Sequence, residues 1–304
     1  MPMHSGIVVL NKPPQMTSQQ AVTRVKRALG VKKAGHAGTL DPDVTGVLPV
    51  FIGSATRLTE YVLADEKRYD ATLVLGSATD TQDASGKVLA TADASGVSEQ
   101  QIRDTFMRFV GPVTQIPPAY SAIKVQGKRA YELARSGIEV TLTARDIVIF
   151  SLEIYKIERV AQIVRVYFHV RCSKGTYIRT LCHDLGEALS IPAHMGRLVR
   201  TQSGPFHLGQ AWDLDYIKEH TWSAVLPPED AILHMHAIYV DSDMLQNVLY
   251  GQSILYQCEA MAPQDLVRVH LVTGELVAIY EITDFQDGRC RLSPKKVLWQ
   301  VMSE

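Results

Sequence analysis

The residues best suited to chemistry lie in Gly35-His36-Ala37-Gly38-Thr39-Leu40-Asp41-Pro42-Asp43-Val44-Thr45-Gly46. Glycines on both sides of Asp41 permit positive φ angles and tight turns. Pro42 pushes Asp41 out of the helical region into an extended conformation. The outcome is a carboxylate on a stiffened loop, flanked by His36 and followed by the apolar run from Val47 to Ile52. Such a loop aims a side chain more firmly than a Gly/Ser linker would. By residue type alone, the plainer reading of Asp41 and Asp43 is as turn formers in a hairpin loop.

Arg179 is the second residue that invites a chemical reason. Ser173-Lys174-Gly175-Thr176 leads into a helix expected from Tyr177 to Leu189, with Ile178, Leu181, Leu185 and Leu189 on its buried face. Arg179 falls in the first turn, where the helix dipole disfavours a cation by about 0.3–1 kcal/mol. A nearby buried carboxylate would account for it; a surface pairing with Asp184 or Glu187 is the plainer alternative.

Basic residues come in two blocks. A helix expected from Ser18 to Leu29, capped by Thr17 or Ser18, buries Val22, Val25 and Leu29 and carries Arg24, Lys26 and Arg27 on its other face. Lys32 and Lys33 follow, and no acidic residue occurs between Asn11 and Leu40. Such a block suits phosphate contacts, although a solvated helix face reads the same way. In the segment 116–145, Lys124, Lys128, Arg129, Arg135 and Arg145 outnumber Glu132 and Glu139, with Tyr120 and Tyr131 interleaved. That mixture fits either an RNA-binding excursion that orders on binding or a plain surface hairpin.

The elements that must position these residues follow from periodicity. Ile7 to Leu10, Lys67 to Leu75, Arg145 to Ile157 and Ile163 to Cys172 read as strands; in the last, Val164, Val166, Phe168, Val170 and Cys172 alternate inward. Ala55 to Leu63 and Ser98 to Phe109 read as helices, the second with Ser98 and Gln101 spaced as a capping box. Met195 to Gln202 carries Arg197, Leu198 and Arg200, and Trp212 to Asp230 reads as a linker. From about His234 the texture changes to short strands at 266–272, 276–282, 290–292 and 297–301, a small β-barrel appended to the main domain.

The totals narrow the class. In 304 residues, 46% are hydrophobic and 21% charged, a globular composition with room for more than one domain. The net charge of −1 gives no global attraction to nucleic acid, so binding must be local. No apolar run approaches the ~18 residues of a membrane span. Met1-Pro-Met-His-Ser-Gly6 lacks the marks of a secretion signal, so the expected location is cytoplasmic. The four cysteines are scattered, against a disulfide framework or zinc knuckle, and His234 with His236 lack further ligands; no metal is expected.

Four motifs, in order and spacing, resemble the bacterial tRNA pseudouridine synthase B family. They are Gly6-Ile-Val-Val-Leu-Asn-Lys12-Pro13, Gly35-His36-Ala-Gly-Thr-Leu-Asp41-Pro42 with Thr45-Gly46, Lys67-Arg68-Tyr69 leading to Thr79-Asp80-Thr81, and Gly175-Thr-Tyr177-Ile-Arg179. Gly274-Glu-Leu-Val-Ala278 and Pro294-Lys-Lys-Val297 resemble the PUA module. One departure is Ala37, where family members commonly carry a hydroxyl residue.

The resemblance implies an α+β fold: a mixed, largely antiparallel sheet flanked by helices, with a PUA-like barrel. It implies a catalytic domain at 1–233, with 116–145 as an RNA-binding insertion, and an RNA-binding domain at 234–304. The implied activity is isomerisation of uridine-55 in the T loop of tRNA, without cofactor and with no protein partner. Asp41 would be the nucleophile, Arg179 its ion-pair partner, and Tyr69 the residue stacking on the flipped base and serving proton transfer at C5. His36 would occupy the vacated space, Tyr177 and Leu198 line the pocket, Lys12 support the Asp41 loop, and Asp80 help position the site. Arg24, Arg27, Lys32, Lys124, Lys128 and Arg129 would meet the RNA backbone. Two rivals remain at this stage: a Mg²⁺-dependent phosphotransferase using the D-x-D-x-T pattern of Asp41 to Thr45, and a non-catalytic RNA-binding protein.

Overall fold

The computed structural model describes residues 5–298 except 65, 122, 126, 137, 139, 140, 258–260 and 287. Strand β1 (Gly6–Lys12) leads to helix α1 (Ser18–Ala28), β2 (Ala34–His36) and β3 (Thr45–Ile52). A 3-10 turn at Gly53–Leu58 precedes α2 (Thr59–Ala64), β4 (Lys67–Leu75) and the pair β5 (Ser77–Thr79) and β6 (Val88–Thr91). Then come α3 (Glu99–Arg108), β7 (Gly111–Gln115), the two-residue strands β8 (Lys124–Val125) and β9 (Lys128–Arg129), and α4 (Ala130–Arg135). The long strands β10 (Arg145–Val160) and β11 (Ile163–Cys172) lead to α5 (Ile178–Ala188), β12 (Ala193–Ser203) and β13 (Phe206–His207). The chain continues through α6 (Leu214–His220), β14 (His236–Val240), α7 (Ser242–Leu249), β15 (Ile254–Gln257), β16 (Leu266–Leu271), β17 (Leu276–Gln286) and β18 (Arg289–Val297).

Local chemistry sets the helix starts. Gln20 N–H donates to Thr17 Oγ1 at 3.1 Å while Thr17 N–H donates to Gln20 Oε1 at 2.9 Å, a reciprocal cap for α1. Ser98 and Gln101 do the same for α3. Val22, Val25 and Leu29 are buried as their spacing predicts. The expected helix over 55–63 begins instead as the 3-10 turn and becomes α-helical at Thr59.

Two compact units form: Met1–Pro42, Leu48–Ala64 and Gly204–Glu304 in the first, Asp43–Val47 and Asp65–Ser203 in the second. In the second, β12, β4, β11, β10 and β7 pair antiparallel in that order. The start of β3 joins β12 in parallel, with Val199 opposite Thr45 and Arg200 opposite Gly46. The sheet is therefore mixed and largely antiparallel. Val164, Val166, Phe168, Val170 and Cys172 are all buried, and Phe106 of α3 meets Phe168 edge to face at 5.2 Å between ring centres.

In the first unit, β1 and β2 flank the remainder of β3, with His36 opposite Val50. The segment expected as a linker, 212–230, is structured. Trp212 N–H donates to Val9 O at 2.9 Å, Leu226 N–H donates to Ile7 O at 2.8 Å, and α6 lies between them. Its Pro227-Pro228 and polar residues mimic a linker because the pairing that orders it is with β1, some two hundred residues earlier. The same unit holds a five-stranded sheet, β14-β16-β17-β18-β15, around a core that includes Ile238, Val248, Val269 and Tyr280. This is the curled, half-barrel sheet of a PUA-like domain; the two short strands expected at 290–292 and near 297 are one strand, β18, and the expected span 299–301 lies outside the described residues. Cys172 and Cys182 are free and buried. Cys290 is disulfide-bonded, contrary to the expectation from the scattered spacing. Among the described residues no helix is long and apolar enough to cross a membrane.

Gly46 shows how tightly β3 and β12 approach. Its φ is +102°, and a Cβ there would lie 2.2 Å from Arg200 O. Gly46→Ala is expected to cost on the order of 3 kcal/mol through strained φ and backbone overlap, read as a lower melting temperature. Gly35→Ala, with nothing within 4 Å of the added methyl, is the control expected to melt close to the parent protein.

Candidate active site

Asp41 sits between two pinned neighbours in the loop joining β2 to β3. Lys12 is fully buried at the end of β1, and its ammonium donates to Pro13 O at 2.8 Å, Met16 O at 2.7 Å and Pro42 O at 2.8 Å. Three N–H donors meet three carbonyls, the satisfaction a buried ammonium requires. On the other side, Leu40 N–H donates to Ser18 Oγ at 2.9 Å and Ser18 Oγ donates to Leu40 O at 3.0 Å. Met16 N–H adds a bond to Pro42 O at 3.2 Å. Asp41 itself, on this fixed backbone, is partly exposed. Ala37 is fully buried with its N–H on Pro49 O at 3.1 Å. His36, partly exposed on β2, precedes it.

In the second unit, Tyr69 lies on the central strand β4 with Val170 opposite on one side and Arg200 on the other. Arg200 is buried to 1% exposure; its Nε–H donates to Val47 O at 2.7 Å and its guanidinium is hydrogen-bonded to the Tyr69 side chain. Burial lowers the Arg200 pKa from the ordinary arginine range, and its interaction with Tyr69 opposes this. Leu198, also buried, is two residues back on β12 opposite Ala71.

Arg179 is buried at the second position of α5. It donates to Tyr120 O at 2.9 Å and Thr81 O at 3.2 Å, and its Nη1 lies 3.5 Å from the Asp83 carboxylate. A carboxylate beside the misplaced cation is thus the partly exposed Asp83, to which sequence reading gave no role. Asp83 Oδ1 accepts in turn from Thr81 Oγ1, Ser85 N–H and Ser85 Oγ. Gln82, at φ +62°, holds Thr180 through its side chain at 3.0 Å, a strained residue of the kind found at functional sites. Asp80 accepts from Lys87 N–H at 2.8 Å and closes the same loop. Tyr177, the N-cap residue of α5, is held by Gln115, which accepts from Tyr177 N–H at 2.8 Å and donates to Tyr177 O at 3.0 Å. Gln115 and Arg200 are the other residues given no role from sequence, and Ser18 was expected only as a possible helix cap.

Arg24, Arg27 and Lys32 are exposed on and after α1, and Lys26, Arg27, Lys32 and Lys33 border an open groove of about 470 Å³. Lys124, Lys128 and Arg129 are described by backbone alone, in the β8–β9 hairpin where Lys124 pairs with Arg129. Among the described residues no group of three His, Cys, Asp or Glu side chains could hold a metal.

The TruB family pseudouridylate synthase N-terminal domain matches residues 26–178, and the tRNA pseudouridylate synthase B C-terminal domain matches residues 179–246. This chain belongs to the TruB family. It is a pseudouridine synthase, an isomerase acting on RNA. The tRNA pseudouridine synthase B of Symbiobacterium thermophilum is 49% identical over 246 residues, 81% of this chain and 82% of that one. That of Halalkalibacterium halodurans is 41% identical over 97% of both chains. In fold, a chain of a Cbf5-Nop10-Gar1 complex is similar with TM-score 0.74 and 28% identity, covering 97% of this chain and 85% of that one. An H/ACA RNP bound to a substrate RNA containing 2′-deoxyuridine gives 0.73 and 27%, with the same coverage. Family membership overturns the phosphotransferase and pure-binder rivals, since the matched TruB domain contains Asp41 to Thr45.

The TruB-family loop motif thus has a physical support in Lys12. Lys12→Met leaves three carbonyls without their ionic donor and is expected to cost about 3 kcal/mol. A lower melting temperature, with faster hydrogen exchange at the Met16 amide, checks it; unchanged exchange there would show that the loop is held by other means.

Proposed function

We propose that this enzyme converts uridine-55 in the T loop of tRNA to pseudouridine, with Asp41 as nucleophile. The observation that carries the reading is the pinned Asp41: Lys12 and Ser18 fix the residues on either side of this partly exposed acid. The names of the curated relatives support tRNA as the substrate. The N1–C1′ bond of the uridine breaks, the base turns, and C5 bonds to C1′; the covalent adduct with a carboxylate divides this into easier steps.

A base inside a folded loop must be flipped out, at a cost of a few kcal/mol. Tyr69 is assigned to stack on it, worth about 1–3 kcal/mol, and to take the C5 proton once the new bond has formed. Exclusion of water would drive a carboxylate towards its neutral form, so the reaction needs a cation beside Asp41; Arg179 is assigned that role. His36 fills the space the base leaves, Tyr177 and Leu198 line the pocket, and Lys12 and Asp80 hold their loops. Arg24, Arg27, Lys32, Lys124, Lys128 and Arg129 are assigned to RNA phosphates. Residues 1–233 form the catalytic domain, with 116–145 as its RNA-binding insertion, and 234–304 form a PUA-like RNA-binding domain; the separate core of the five-stranded sheet supports that division.

Tritium release from tRNA labelled at uridine C5 tests the reading, since C5 loses its hydrogen only when the base is rejoined through that carbon. Asp41→Asn is expected to lower the rate by about a thousandfold or more at nearly unchanged tRNA affinity. Activity retained in that variant would refute the nucleophile. Arg179→Ala is expected to reduce turnover far more than binding; if binding collapsed while bound tRNA still reacted, its role would be wrong. Tyr69→Phe at full activity would remove the proton role from the hydroxyl.

A further inference from the structure

The pairing of Arg200 with Tyr69 gives the site a residue beyond those assigned above. Arg200 lies on β12 between Gly46 and Tyr69, directly opposite each. Side chains directly opposite on neighbouring strands point to the same face, so the guanidinium and the phenol share one side of the sheet. A fully buried guanidinium is costly unless its N–H groups are bonded. Nε is bound to Val47 O at 2.7 Å, which leaves the terminal nitrogens for the Tyr69 side chain. Arginine has donors and no acceptor, so in this bond the Tyr69 oxygen accepts.

We propose that Arg200 is a positioning residue for Tyr69, holding the phenol oxygen as a hydrogen-bond acceptor and supplying the positive charge that a phenolate needs when it acts on the substrate. The inference rests on the proton role of Tyr69 given above. With that oxygen fixed by Arg200, the hydroxyl proton points away from the guanidinium. The hydroxyl proton first passes to water, leaving the phenolate. In the step itself the C5–H bond breaks and its electron pair forms the C5=C6 bond of the product; the pair this displaces at C6 moves from the C6=N1 bond to N1, which takes a proton from water, or leaves with the carboxylate if the adduct is at C6. The C5 proton passes to the Tyr69 oxygen, which ends as the phenol it began as. Gly46 is required where it stands because any side chain would strike the backbone of Arg200.

The test is a double-mutant cycle on the full chain, using single-turnover tritium release from C5-labelled tRNA with enzyme in excess. Arg200→Met is expected to lower the rate about ten- to hundredfold with tRNA affinity within about twofold. Arg200→Lys, which keeps the charge, is expected to recover part of the rate. In the Tyr69→Phe background Arg200→Met is expected to add nothing, because its effect passes through the missing hydroxyl. Melting temperatures of the same four proteins are expected to be non-additive. Equal losses in both backgrounds, or a wild-type rate for Arg200→Met, would overturn the inference while leaving the role of Tyr69 intact. A wild-type rate for Tyr69→Phe would overturn both. Should Arg200→Met fail to fold, Arg200→Lys in the two backgrounds serves in its place. If Tyr69→Phe is too slow to measure, additive melting temperatures overturn the inference, and a fall in rate that Arg200→Lys partly restores upholds it.

Discussion

The ammonium of Lys12 is the constraint on which the presentation of Asp41 depends. A buried charge has no solvent to fall back on, so it must collect protein oxygens, and here it collects carbonyls from Pro13, Met16 and Pro42. One of these directly follows Asp41, and the Ser18 clamp holds the residue before it. The peptide on both sides of the acid is thereby held through its neighbours, which fixes where the carboxylate is presented.

The same device appears in the other unit. Among the described residues, the fully charged side chains that are buried are Lys12, Lys67, Arg179 and Arg200, and no carboxylate is among them. Lys12, Arg179 and Arg200 are each held by backbone carbonyls. Carbonyl oxygens satisfy donors without carrying a full negative charge, and Arg179 meets the Asp83 carboxylate at 3.5 Å as well. Arg179 also links three segments distant in sequence, the β5–β6 loop, Tyr120 and α5. The Arg179 guanidinium therefore bonds the segment around Tyr120 to the β5–β6 loop of the same unit.

Much of this was legible beforehand where the signal is local. Capping pairs at Thr17–Gln20 and Ser98–Gln101, the alternation from Ile163 to Cys172, and the strand from Lys67 to Leu75 need only neighbouring residues, and they appear as expected. The unfavourable place of Arg179 on its helix was visible because the dipole is a local property. Three groups it bonds were not: Asp83, Thr81 and Tyr120 lie about sixty to a hundred positions away. The stretch from Trp212 to Asp230 failed for the same reason, since its order comes from β1 and not from its own composition.

The chain alone determined most strands and helices of the main sheet, the stiffened Asp41 loop and the surplus of basic residues around α1, because turns, caps and hydrophobic periodicity act over a few residues. Tertiary structure alone decided that Lys12 anchors Pro42, that Arg200 faces Tyr69 across two strands, and that Gly46 must lack a side chain. Those facts arise from strand register and burial, which bring together residues separated by 30 to about 150 positions and which no local pattern encodes.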